Sequence, residues 1–147
     1  MEWYVNVIKN YANFNGRARR KEYWMFVLFN VIISLALSLV GGIINTTVLS
    51  GLYGLFIFIP SLAVGVRRFH DIGKSGGLFI GFQIVGFVFG IFAGIAGAVV
   101  FLSGEAGILM VIGIIALAYI IYAIVVLVML CASGEPGANK YGENPKM

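Results

Sequence analysis

The sequence predicts an all-α integral membrane protein, a bundle of four transmembrane helices preceded by an N-terminal interfacial amphipathic helix. Three observations lead there. Hydrophobic residues make up 61% of the 147 and charged residues only 11%, whereas a soluble domain carries about 25% charged residues. Apolar blocks cover 23–42, 48–66, 78–102 and 108–131, each near the roughly 20 residues that cross a bilayer. All ten lysines and arginines lie before the first block, between the second and third, or after the fourth. The chain therefore reads as a single polytopic domain over residues 1–147.

Residues 1–15 form the first element. The charged region and the apolar run that follows are too long for a signal peptide, so the segment is expected to be retained. Trp3, Tyr4, Val7, Ile8 and Tyr11 recur at three- and four-residue spacing, on one face of a short helix. That face suits either the headgroup layer or packing against the bundle.

Asn13 to Gly16 signals a turn, and Arg17, Arg19, Arg20 and Lys21 follow it. The first span opens on an aromatic belt, Tyr23 and Trp24, and is apolar but for Asn30, Ser34 and Ser38. Ser34, Ser38 and Gly42 lie four apart and could support close helix contact. The second span contains Pro60, which removes an N–H and crowds the carbonyl of Phe56. In lipid this is tolerated where a neighbour covers the freed group, and it predicts a kink or local opening.

Arg67 to Gly77 reads as the long polar loop between spans. The third span repeats Gly86, Gly90 and Gly94 at four-residue spacing, a packing face for a neighbouring helix. Ser103 to Gly107, with Glu105, turns the chain into the fourth span. Cys131 near its end reads as a small buried hydrophobe. Residues 133–147 form a polar tail.

The lysine and arginine placement puts both termini and the central loop in the cytoplasm by the positive-inside rule. The net charge of +4 is then explained by loops and anionic headgroups, with no nucleic acid as partner.

The chemistry inventory argues against an enzyme and against a cofactor or metal. His70 is the one histidine, Asp71 the one aspartate and Cys131 the one cysteine, and no carboxylate lies inside a span. A catalytic zinc takes three protein ligands, and His70 with Asp71 cannot both serve one serine from adjacent positions. Gly73-Lys74-Ser75 imitates a phosphate loop, but Arg68 stands where its first glycine belongs. Ion-coupled transport lacks ionisable residues at membrane depth. What stands out is cytoplasmic: Arg17, Arg19, Arg20 and Lys21 beside Glu22, and Arg67, Arg68, His70, Asp71 and Lys74. These are the candidate binding residues for anionic lipid headgroups or a partner protein, with a homo-oligomer or a small-solute facilitator or channel subunit as the other readings. Positive-inside anchoring explains the basic residues alone. It does not explain His70-Asp71 and the glycine-framed turn beside them. Asp71 is expected to be ionised and paired with an arginine of the first cluster, Arg19 or Arg20 by preference, or else to cap the turn before Gly73.

Gly16-Arg17-Ala18-Arg19-Arg20-Lys21-Glu22-Tyr23-Trp24, then Pro60-Ser61-Leu62-Ala63-Val64 leading to Arg67-Arg68-Phe69-His70-Asp71 and Gly73-Lys74-Ser75-Gly76, and finally Gly137, Asn139, Tyr141-Gly142 and Asn144-Pro145 resemble the domain-of-unknown-function 805 family. The resemblance spans nearly the whole chain. It implies a bacterial plasma-membrane location and a compact bundle of about four helices, and it implies no established activity. Phe69 replaces the family's usual leucine, and Gly77 its usual tryptophan, which removes an interfacial anchor at the start of the third span.

Overall fold

A computed structural model describes residues 2–103 and 107–145. It contains five α-helices, α1 (Glu2–Lys9), α2 (Arg20–Ile43), α3 (Val48–Asp71), α4 (Gly76–Ser103) and α5 (Gly107–Cys131). Beside them, the described residues hold a single isolated bridge between Asn139 and Gly142. The four long helices are apolar and long enough to cross a membrane, and their surfaces carry Leu39, Leu55, Phe92 and Met110 largely exposed. Such surfaces suit hydrocarbon rather than water. This is an all-α integral membrane protein. The expected turn around Glu105 lies outside the described residues.

Residues 1–76 with 133–147 form one compact unit, and residues 77–132 another. In the first, α2 and α3 make a hairpin. Gly41 is buried where the turn closes, with Thr46 donating to its carbonyl at 2.9 Å, and a side chain at position 41 would collide with the Thr46 carbonyl. The stripe of Ser34, Ser38 and Gly42 is exposed, so close contact forms at Gly41 and not along that stripe.

The apolar face of α1 packs on this hairpin. Tyr4 stacks on Phe26 with centroids 5.6 Å apart, and Val7, Ala18, Phe26 and Val64 form a core flanked by Ile8, Tyr23 and Ile57. Tyr53 donates to Asn30 Oδ1 at 2.5 Å and lies within 3.3 Å of the Tyr4 hydroxyl, so the polar groups in the spans satisfy one another. Helix α3 runs unbroken through Pro60. The carbonyl that Pro60 deprives of its partner is covered by α1's connection: Tyr11 donates its hydroxyl proton to Phe56 O at 2.7 Å.

Helix α3 also continues to Asp71, five residues beyond the apolar block. The segment from Arg67 to Gly77, read as a loop, is therefore mostly helix, with only Ile72 to Ser75 between α3 and α4. Charged residues extend the helix because carboxylates pair with them. It stops at Gly73, whose φ of 71° is left-handed and suits glycine.

In the second unit Tyr119 of α5 stacks on Phe82 and Phe89 of α4 and lays its hydroxyl against Gly86, where a Cβ would require the tyrosine to shift. Among the described residues nothing lies within 4 Å of a Cβ built at Gly90 or Gly94. The expected packing face thus narrows to Gly86, the one position of the three that Tyr119 covers. Cys131, expected to be buried, is exposed as the last residue of α5.

Candidate functional site

The charged residues gather where α2 begins and α3 ends. Arg67 and Arg68 are adjacent on α3, so a helical turn of 100° sends them in different directions. Arg68 Nη1 meets Asp71 Oδ2 at 2.5 Å, one turn along the same helix. Arg67 Nη1 reaches Glu22 Oε1 on α2 at 3.1 Å. Glu22 is the third residue of α2, and its carboxylate also accepts from the main chain of Arg19, the reciprocal half of a capping box.

Arg17 comes from the extended segment ahead of α2. Ala18, completely buried beside it, donates its N–H to Arg67 O at 3.0 Å, which pins that segment along α3. The Arg17 guanidinium then binds Asp71 Oδ1 through Nε at 3.0 Å. Its Nη2 donates to Glu135 O at 2.7 Å and its Nη1 to Gly137 O at 2.6 Å. One arginine thus joins the N-terminal segment, the end of α3 and the tail. Arg17, Glu22, Arg67, Arg68 and Asp71 are all buried. Buried charges must be paired, and here directional, charge-assisted bonds do it.

The tail is shaped to fit this centre. Glu135 donates its main-chain N–H to Asp71 O at 2.8 Å. Side chains at Gly134 or Gly73 would collide with the Asp71 and Glu135 carboxylates respectively. Asn139 donates to His70 O at 2.9 Å and to Glu135 Oε2 at 2.7 Å. Tyr141 stacks nearly parallel on the His70 ring with centroids 3.7 Å apart, and His70 Nδ1 sits 3.1 Å from Gly16 O. Among the described residues no group of three His, Cys, Asp or Glu side chains could hold a metal ion.

The family described as "Protein of unknown function (DUF805)" matches residues 11–143, which takes in Arg17, the end of α3 and the tail segment that Arg17 binds. The chain belongs to the DUF805 family. It is 36% identical over 148 residues to "Inner membrane protein YhaI" of Escherichia coli K12, covering 99% of this chain and 97% of that protein. It is 33% identical over 153 residues to "Inner membrane protein YhaH" of the same strain, covering 100% and 98%. No solved structure matches.

In this DUF805 chain the nine candidate residues divide in two. Arg17, Arg67, Arg68 and Asp71 are buried in the ion-pair centre, and His70 is half-buried under Tyr141. Arg20, Lys21 and Lys74 are exposed and Arg19 is intermediate. Asp71 pairs with the first basic cluster, as the sequence suggested, but through Arg17 instead of Arg19 or Arg20. The reason is local: α2 begins at Arg20 with Arg19 as its cap, so only the extended residue before them can lie across the end of α3. Sequence reasoning passed over Glu22 as the partner of Arg67, and the tail carbonyls. The spacing of Gly137, Asn139 and Tyr141-Gly142 was the signal for the tail, while main-chain acceptors leave none.

Proposed function

We propose that this DUF805 protein is a multi-pass protein of the bacterial inner membrane, with both termini and the α3–α4 turn in the cytoplasm. Its role there is non-enzymatic binding or scaffolding, in which the basic cytoplasmic face engages anionic lipid headgroups. The observation that carries this reading is the division of the cations. One set is buried and paired, and builds the platform. Arg19, Arg20, Lys21, Lys74 and Lys140 remain around it, intermediate or exposed, where each is worth about 1 kcal/mol next to an anionic leaflet. Lys21 lies over the Trp3 ring at 5.7 Å and Lys140 over Tyr141 at 5.0 Å, aromatic-cation pairs of the kind found at headgroup level. The inner-membrane names of the relatives support the location. Asp71 and Glu22 are engaged by arginines, which supports a structural rather than an acid-base role.

Purified protein reconstituted into liposomes tests the reading. Saturable, salt-sensitive binding of anionic lipid without solute flux is expected. Specific solute movement would replace it with a facilitator, and loss of all lipid preference with a protein partner retained would replace it with a docking platform.

A further inference from the structure

The buried centre is one negative charge short. Three buried guanidiniums, Arg17, Arg67 and Arg68, face two buried carboxylates, Glu22 and Asp71, among the described residues. Around Arg17 the excess is spread over the carbonyls of Glu135 and Gly137. Arg67 is matched one to one by Glu22, yet its guanidinium is not satisfied. Its side chain is 7% exposed and only Nη1 is engaged, by Glu22, while Nε and Nη2 are buried without a partner. Unsatisfied buried donors on a charged group are costly, and native structures rarely leave them.

That guanidinium lies against the first turn of α2, the positive end of a 24-residue helix dipole. The N-cap is Arg19, whose side chain makes no capping hydrogen bond, and the Glu22 carboxylate takes the Arg19 main-chain N–H. The next two residues are the cations Arg20 and Lys21, and Glu22, shared with Arg67, is the anionic side chain of the first turn. Two unpartnered buried donors and a run of cations at a helix terminus coincide at one place.

We propose that the first turn of α2 with Arg67 beneath it is a seat for one oxyanion of the phosphate class, carried by a lipid headgroup or present as free phosphate. Arg19, Arg20 and Lys21 attract the group, and Nε and Nη2 of Arg67 bind its oxygens in the forked manner that lysine cannot reproduce. Both donors are enclosed while the turn is closed, so entry is coupled to a local opening between Arg19 and Glu22. The proposal rests on the headgroup-binding reading above and narrows it to one site.

The test uses the full chain in detergent, with retained lipid counted by native mass spectrometry and thermal unfolding followed in parallel. The probes are phosphatidylglycerol, phosphatidylcholine and inorganic phosphate. Wild type should retain phosphatidylglycerol at least tenfold better than phosphatidylcholine. Arg67→Lys, which keeps the charge beside Glu22 but loses the fork, should abolish that preference at unchanged helix content, whereas Lys74→Gln with Lys140→Gln should keep it. If Arg67→Lys does not fold, Arg19→Gln carries the same comparison. Stabilisation of wild type but not Arg67→Lys by inorganic phosphate, with no added effect of phosphatidylglycerol, supports the seat and assigns it to soluble phosphate. A preference that survives Arg67→Lys and disappears in the Lys74, Lys140 double variant overturns the seat and leaves the general basic face standing. No lipid preference in wild type together with no stabilisation by inorganic phosphate overturns both.

Discussion

Arg17 and Asp71, 54 residues apart in sequence, meet at 3.0 Å with side chains 1% and 3% exposed. Because Asp71 also holds Arg68, the aspartate is the shared counter-ion of two arginines, and removing it strands both.

Asp71→Asn is therefore expected to destabilise the protein by about 3 kcal/mol or more, the range for breaking a buried pair from one side. In a double-mutant cycle with Arg17→Gln, read as thermal unfolding in detergent, a coupling of about 1 kcal/mol or more is expected. The same cycle with Arg20→Gln should be additive. Additivity in both would show that the ion pair does not hold the segment to α3.

Tyr11→Phe should cost about 1 kcal/mol by leaving the Phe56 carbonyl unmet. In a Pro60→Ala background α3 regains its own N–H for that carbonyl, so the loss on changing Tyr11 should shrink. An equal loss in both backgrounds would mean that Tyr11 acts through ring packing on Phe56 alone.

Gly86→Leu should lower the unfolding temperature far more than Gly90→Leu, since only the former position lies under the Tyr119 hydroxyl. Similar effects would place a further helix against Gly90. Gly86→Leu in a Tyr119→Ala background should recover part of the loss by the same logic.

Cysteines placed at Lys74 and Lys140, in a chain with Cys131→Ser, should react with a membrane-impermeant maleimide only when the cytoplasmic side is opened. Labelling of either from the outside in intact cells would reverse the proposed orientation. Both positions are exposed, so absence of reaction cannot come from burial.

The four spans were legible because hydrocarbon imposes length and composition on each block separately, and only the ends at Arg20, Asp71 and Gly76 moved by more than one residue. Those ends moved because a charged residue leaves a helix or stays in it according to whether a counter-ion arrives from elsewhere. Glu22 reaching Arg67 is such an event, and no local pattern announces it. The Gly86, Gly90, Gly94 spacing was likewise visible, but which glycine is covered depends on where one tyrosine of α5 falls. In the site the residue types were readable. Which of them would be buried was not, because the carbonyls that surround Arg17 belong to the tail and are the same in every sequence.

The bond from Arg17 to the Glu135 carbonyl joins residues 118 apart, and this sets an order of events during synthesis. At about 5–20 residues per second, the ribosome delivers the tail roughly 6 to 24 s after Arg17 has emerged. Throughout that interval all four apolar helices are being handed to the membrane while the arginine waits with part of its coordination open. Synthesis of all four apolar helices therefore precedes completion of the charged centre, and a nascent chain is distinguishable from a finished one by whether that arginine is still uncovered.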